Sequence, residues 1–251
     1  MNLMNFPTLV FILSLGFLYL AAWFGSRSKR QHPLPEEERG DFDLVLSATL
    51  TLLGLLIGFT FSMAISRYDQ RKLYEEAEAN AIGTEFVRAD LLRADDGTKV
   101  RDLLKRYLDQ RVLFYTTRNP GKLSKIKADT AELQNELWSA VRSDAVAQPT
   151  PITALVISGM NDVLNSEGYT QSAWWNRIPI AAWVLMAAIA VGANLLLGYG
   201  TRWTDWRLLI IVPLAISLSF FLISDIDSPR GGAIRVVPRN LLSLSRSLSA
   251  Q

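Results

Sequence analysis

This chain has few residues of the types that act as thiol nucleophiles or bind transition metals, and this composition excludes most catalytic sites. The sequence has one histidine, His32, in a proline-rich stretch, and it has no cysteine. This composition excludes thiol chemistry and most transition-metal sites. The sequence also lacks a glycine-rich phosphate loop, a nucleophile elbow and zinc-type ligand spacing. It therefore predicts a protein that is not an enzyme and that has no cofactor.

Two acids, Asp225 and Asp227, follow an apolar stretch and precede a Pro-Arg-Gly-Gly turn. Such a pair could bind calcium, but a hard cation takes six or more oxygen ligands. The alternative, which we favour, is ion pairing or helix capping. Arg67 and Arg71 are four residues apart, so they lie on one helix face. We predict that at least one of the two acids pairs with Arg67, Arg71 or Arg230.

A row of mixed charges lies between residues 71 and 88. Its members are Arg71, Glu75, Glu76, Glu78, Glu85 and Arg88. These side chains could line an internal passage, but a solvated, salt-bridged helix face explains such a pattern more often. Glu78 and Asn80 stand out, because the alanines around them allow close packing.

The charged residues described above flank or follow stretches of the sequence that contain no charged residue, and there are four such stretches. They are residues 6–24, 44–66, 178–200 and 208–224. Each is close to the roughly 20 apolar residues that cross a bilayer as a helix. We expect the first to be a membrane helix rather than a cleaved signal, because no Lys or Arg precedes it. The sequence therefore predicts an all-α integral membrane protein with four transmembrane helices and a helical extramembrane domain.

Residues 67–177 carry most of the charge and form the predicted extramembrane domain. No glycine or proline ends the second span, so its helix should continue to about residue 94, where Asp95-Asp96-Gly97 breaks it. Asn119-Pro120-Gly121 predicts a turn. Thr150 before Pro151 is typical of a helix N-cap. We expect four soluble helices in this domain.

The distribution of charge limits the partners. Bases and acids are interleaved and the net charge is +2, so nucleic acid is not an expected partner. Basic residues flank the spans on both membrane surfaces, so the positive-inside rule predicts no orientation for the extramembrane domain. Residues 225–251 form a serine-rich C-terminal tail.

The second span combines small residues with bulky ones. Five small residues lie three or four apart and form one stripe: Ser47, Thr51, Gly54, Gly58 and Ser62. Small residues let membrane helices approach closely, so the stripe predicts helix packing. Leu52, Leu55 and Phe59 lie beside it. A ring of such side chains could line a narrow pore that gates by dewetting, although they could equally face lipid or a core.

Several motifs resemble the bacterial bestrophin-like family, a remote relative of the bestrophin ion channels. They are Gly58–Tyr68 with Arg71, Glu78–Thr84, Arg88–Leu92, Leu103 with Tyr107 and Arg111, Leu137-Trp138 and Asp225–Gly232. The resemblance implies four membrane helices and, through true bestrophins, a homopentamer around an ion pore. It places Leu55 and Phe59 at neck positions, with Thr51 replacing an apolar residue.

Two functions remain open at this point. The leading hypothesis is an oligomeric channel for anions or monovalent cations in the bacterial inner membrane, with a neck at Thr51, Leu55 and Phe59. No ring of one charge sign falls within a span, so ion selectivity is not predicted. The alternative is a non-conducting scaffold or sensor that binds a partner through its helical domain. Lipid, inorganic ions and further copies of the chain are the expected partners.

Overall fold

The structure, a computed structural model, describes residues 6–31, 34–147, 149–200 and 209–250. His32 and Leu208 of the predictions above lie outside these ranges. Every regular element in the described ranges is helical, as predicted. The α-helices are α1 (Pro7–Gln31), α2 (Arg39–Arg88), α3 (Ala94–Thr116), α4 (Pro120–Ala147), α5 (Pro151–Trp175), α6 (Ile180–Gly200), α7 (Ile211–Asp227) and α8 (Arg239–Ser249). A 3₁₀ turn at Ala89–Leu91 follows α2.

The chain divides into two compact units. The apolar unit comprises the chain up to Tyr68 together with Arg177–Arg235, and the polar unit comprises Asp69–Asn176 and Val236–Gln251. α2 contributes to both units. Each unit is described by itself.

In the apolar unit, α1 packs against α6 and α7. Gly25 lies against the backbone of Leu195, and Gly198 lies against the carbonyl of Ala22, so closely that neither glycine has room for a Cβ. These contacts join the C-terminal parts of both helices, so α1 and α6 run parallel. The core cluster draws on all four helices of the unit, through Leu18, Leu53, Ala64, Met186, Ala190 and Ile223.

Three helical stretches among the described residues are long and apolar enough to cross a membrane. They are Pro7–Lys29, Arg39–Leu91 and Pro151–Gly200. The last is divided between Trp175 and Ile180, where α5 ends and α6 begins. α7 has 17 residues and ends on the two acids, Asp225 and Asp227.

In the polar unit, α3 packs against α4, and α4 packs against α5. Tyr107, Leu137 and Met160 of these three helices are fully buried. Thr150 caps α5 as predicted: its Oγ1 accepts from the backbone N–H of Thr153, and Pro151 occupies the first turn.

Three local expectations differ from the structure. α2 ends at Arg88, before the predicted end near 94, and Asp95–Gly97 lie inside the first turn of α3 instead of breaking a helix. Acids in a first turn are stabilised by the helix dipole, which explains why Asp95 and Asp96 begin a helix. The predicted C-terminal tail contains α8, whose Leu241 and Leu248 are buried.

Candidate functional site

One face of α2 in the apolar unit packs against the chain's own core. Leu53, Thr60 and Ala64 are buried, and they are spaced by seven and four residues. The Thr60 hydroxyl donates to the carbonyl of Leu56 at 2.7 Å, so its burial leaves no unmet donor.

The opposite face of α2 is uncovered and carries all three predicted neck residues. Thr51 is exposed, as are Leu55 at 53% and Phe59 at 60%. The Thr51 hydroxyl donates to the carbonyl of Ser47 at 2.8 Å. The hydroxyl proton is therefore hydrogen-bonded within the helix and does not need a water molecule as its acceptor.

The small residues predicted to pack helices together are also exposed. Ser47, Gly54, Gly58 and Ser62 face outward, and a Cβ built on either glycine meets nothing within 4 Å. They therefore pack against no other helix among the described parts of this chain. Packing through this stripe stays a prediction about contact with another molecule.

α2 is also the apolar helix that the chain covers least. In the most apolar stretch of α2, 11% of the residues are buried. The corresponding share is 28% in Pro7–Lys29 and also 28% in Pro151–Gly200. The exposed side chains on α1 are bulky, for example Ile12, Phe17 and Phe24. Those on α2 also include bulky side chains such as Leu55 and Phe59, but beside them α2 exposes a stripe of small residues: Ser47, Thr51, Gly54, Gly58 and Ser62.

The two acids at the end of α7 bind backbone groups. Asp225 accepts from the N–H groups of Ala233 and Ile234, both at 2.8 Å, and closes the turn that follows α7. Asp227 accepts the N–H of Ile178 at 3.3 Å, which ties α7 to the start of α6. The described residues hold no group of three or more His, Asp or Glu side chains suited to a metal ion. Pairing of these acids with Arg67, Arg71 or Arg230 stays a prediction.

Within the polar unit, the inward face of α2 is charged. Arg71, Glu75, Glu78 and Glu85 are all buried, while Glu76 is exposed. The expectation of a solvated charged face was therefore wrong for these four. Arg71 donates to the carbonyls of Ala173 and Asn176, at the C-terminal end of α5, where a helix dipole favours a cation.

Both carboxylate oxygens of Glu75 and of Glu78 accept hydrogen bonds. Glu75 accepts from the backbone N–H groups of Asn240 and Leu241 at 2.9 and 3.0 Å, so a carboxylate of α2 caps α8. Glu78 accepts from Arg111, and from the hydroxyls of Tyr115 at 3.2 Å and Thr170 at 3.1 Å. This second cluster ties α2 to both α3 and α5.

The electrostatics of the Glu78 cluster follow from its burial. Burial opposes the charge of Arg111, but Glu78 beside it holds the pKa of the guanidinium above its ordinary value. Burial and then Glu78 raise the pKa of Tyr115, so this phenol stays protonated and donates. The Arg111 guanidinium also lies over the ring of Phe114, 4.5 Å from its centroid. The sequence did not predict this cluster, although Arg111, an arginine within the apolar period of α3, was a signal of it.

Glu85 is buried without a hydrogen-bond donor on either carboxylate oxygen. Arg88 Nη1 lies 3.9 Å from Glu85 Oε2, and Gly159 of α5 packs directly against both groups. Burial raises the pKa of Glu85 to about 8; Arg88 opposes this shift and Asp162 adds to it. The geometry therefore favours a protonated carboxyl at neutral pH.

Comparisons with known proteins agree with this architecture. A model of the Bestrophin-like domain matches residues 12–241. No curated protein matches the sequence. A tryptophan-to-alanine variant of a bacterial bestrophin homologue from Klebsiella pneumoniae superposes with a TM-score of 0.69 at 14% identity, covering 96% of both chains.

Two further crystal structures of the Klebsiella pneumoniae homologue give similar values. A leucine-to-threonine variant has a TM-score of 0.68 at 13% identity and covers 97% of this chain and 98% of its own. The structure phased with zinc has a TM-score of 0.64 at 15% identity and covers 94% and 97%. At these identities the likeness establishes a shared fold.

Proposed function

The chain belongs to the bestrophin-like family, and on that premise we propose that it is a subunit of a homo-oligomeric ion channel in the bacterial inner membrane. In this proposal α1, α2, α6 and α7 cross the bilayer, and the polar unit lies outside it. The first and third spans of a four-span protein must point the same way, and α1 and α6 do run parallel. Five subunits is the number that the resemblance to bestrophins favours.

The stripe of small residues on the outward face of α2, from Ser47 to Ser62, is the observation that carries this proposal. A helix surrounded by lipid favours bulky apolar side chains, as on the exposed face of α1. Small and hydroxylated residues instead favour contact with other protein helices or with a polar path. Copies of α2 arranged around an axis would cover this face, with Gly54 and Gly58 where neighbouring helices approach.

Leu55 and Phe59 form the neck in this arrangement. Both are exposed in the single chain, so neither is needed to fill its core. Rings of these two side chains would make a narrow apolar constriction from which water withdraws, and an ion would meet its highest barrier there. Thr51 lies one turn away from Leu55 and would make the adjoining part of the pore more polar.

Flux through purified protein tests the proposal. The chain is reconstituted into liposomes, and the passive flux of a monovalent anion and of a monovalent cation is measured separately. Leu55→Ala and Phe59→Ala should both increase the flux, because a wider neck wets more easily. The matched control is Leu185→Ala on α6, since Leu185 is as exposed as Leu55, at 50% against 53%.

Each result decides between the channel and the scaffold or sensor. Increased flux in both neck variants, with none in Leu185→Ala, supports the channel, and the ion that moves gives its selectivity. An assembled oligomer that conducts no ion, with or without the neck substitutions, overturns it and favours the scaffold. Equal changes in all three variants would place the ion path away from α2.

A further inference from the structure

The apolar unit contains a cleft between α1 and α6 that the proposed ion path does not use. Its volume is about 720 Å³, within the range of roughly 300–1,000 Å³ typical of ligand sites. Its walls are almost wholly apolar and include Leu13, Phe17 and Trp23 of α1, Trp183 and Val191 of α6, and Phe220 of α7.

The shape of the cleft suits one extended hydrocarbon chain. The glycine contacts of Gly25 and Gly198 close α1 and α6 together at one end. The lining then continues along α1 from Phe24 back to Val10, which is about 21 Å of helix. That length exceeds half of the roughly 30 Å hydrocarbon core, so an acyl chain from one leaflet can lie along it.

A positive charge marks the closed end of the cleft. Arg27 is exposed, and its guanidinium carbon lies 5.7 Å from the centroid of the Trp23 ring. Stacking on an aromatic face restricts the arginine, and Trp and Arg are typical of the membrane interface. A guanidinium held there can bind a phosphate through two N–H groups.

We propose that this cleft binds an anionic phospholipid, with one acyl chain between α1 and α6 and the headgroup phosphate on Arg27. The proposal rests on the membrane placement proposed above. It makes the lipid a specific ligand, held by a shaped cleft and a charge, rather than one of the lipids that exchange freely around the protein.

A second copy of the chain is the competing occupant. Membrane helices associate through small residues, and the stripe from Ser47 to Ser62 lies on α2, which contributes no residue to the lining of the cleft. The cleft is concave and its exposed rim is bulky: Phe17 is 66% exposed and Ile180 is 68% exposed. A hydrocarbon chain adapts to this shape more readily than a rigid helix does.

Tryptophan quenching by brominated lipid tests the proposal, because Trp23 and Trp183 line the cleft. The full chain is placed in phosphatidylcholine vesicles that contain a small fraction of lipid with brominated acyl chains. This brominated lipid is phosphatidylglycerol in one set of vesicles and phosphatidylcholine in the other. Brominated phosphatidylglycerol should quench about fivefold more effectively at equal content, since one surface arginine contributes about 1 kcal/mol towards an anionic lipid. Trp23→Phe should remove part of that quenching.

Two variants separate the charge from the cleft. Arg27→Gln should abolish the preference for phosphatidylglycerol and leave quenching by phosphatidylcholine. Ala187→Leu fills the cleft and should weaken quenching by both lipids, whereas Ala188→Leu, an exposed neighbour outside the lining, should not.

An unchanged preference in Arg27→Gln would overturn the proposal, as would equal behaviour of Ala187→Leu and Ala188→Leu. Cleft tryptophans that neither lipid quenches, while other tryptophans are quenched, would mean that a second copy covers the cleft. If no tryptophan is quenched at all, the membrane placement itself fails. Quenching does not require conduction, so its result is independent of the flux experiment.

Discussion

The two parts of α2 bury different kinds of side chain. In the apolar unit, the helix buries Leu53 and Ala64 and exposes small and hydroxylated residues such as Thr51. In the polar unit, it buries charged side chains and exposes Leu73 at 64% and Val87 at 68%. Polarity alone therefore does not decide which face of this helix is covered; the partners supplied by other helices do.

Two carboxylates on the buried face of α2 differ in the hydrogen-bond donors that they have. Glu78 and Glu85 lie seven residues apart on α2, and both are fully buried. Glu78 has an arginine and two hydroxyl groups as donors, whereas Glu85 has no hydrogen-bond donor among the described residues. The charge of the first is compensated by its partners, whereas burial raises the pKa of the second, which therefore holds a proton.

The largest expected effect comes from removing the partner of Glu78. Arg111→Met leaves a buried carboxylate without its cation, which should lower the free energy of unfolding by about 3–5 kcal/mol. Thermal unfolding in detergent measures the loss. Adding Glu78→Gln to Arg111→Met should recover part of it, because the uncompensated charge is gone.

An exposed ion pair provides the matched control. Arg106 Nη1 lies 3.5 Å from Glu136 Oε2, and its side chain is 64% exposed. Arg106→Met should cost less than about 1 kcal/mol. Equal losses in Arg111→Met and Arg106→Met would show that the buried cluster does not anchor α2 to α3.

The second expected effect concerns the outward face. Gly58→Leu should weaken the oligomer, because a bulky side chain overpacks an interface between copies of α2 at a cost of about 1–3 kcal/mol. In native mass spectrometry in detergent, the protein concentration at which half of the oligomer is dissociated should then be about 5- to 150-fold higher than for the unchanged chain.

Gly16→Leu on α1 is the control for this substitution, since a Cβ at Gly16 also meets nothing within 4 Å. It should leave the oligomer intact if α1 faces lipid there. Dissociation by Gly16→Leu but not by Gly58→Leu would move the interface from α2 to α1 and remove the basis of the proposed pore.

The third expected effect, the smallest for a single step of one pH unit, is a pH dependence from Glu85. Its pKa is about 8 in the folded chain and ordinarily 4.5, so between these values the folded state binds a proton that the unfolded state has released. The free energy of unfolding should therefore fall as the pH rises from 4.5 through 8, by at most about 1.4 kcal/mol per pH unit. The stabilising contribution is complete below pH 4.5.

Melting temperatures across this pH range measure the effect. Glu85→Gln should flatten the dependence and raise the melting temperature at pH 8, because a neutral amide replaces a group that ionises there. Glu76→Gln on the exposed face of α2 is the control and should keep the slope. The same slope in both variants would show that Glu85 does not control it.

Local sequence patterns predicted much of the helical architecture. An apolar run without glycine or proline at its end predicted that α2 continues far beyond the second span, and Thr150-Pro151 predicted the start of α5. Such signals depend on residues within one or two helical turns, so they can be read along the chain. The break at Asp95–Gly97 was misplaced because acids are stabilising in a first helical turn.

Composition and short-range spacing were enough to predict the helices, the apolar stretches and the lack of thiol chemistry. Which face of each helix is covered depends instead on contacts between helices that are far apart in the chain. Glu78 meets Arg111 across 33 residues and Thr170 across 92, and Glu75 caps α8 across 165. No local pattern encodes such pairings, since burying a charge depends on donors brought from distant helices.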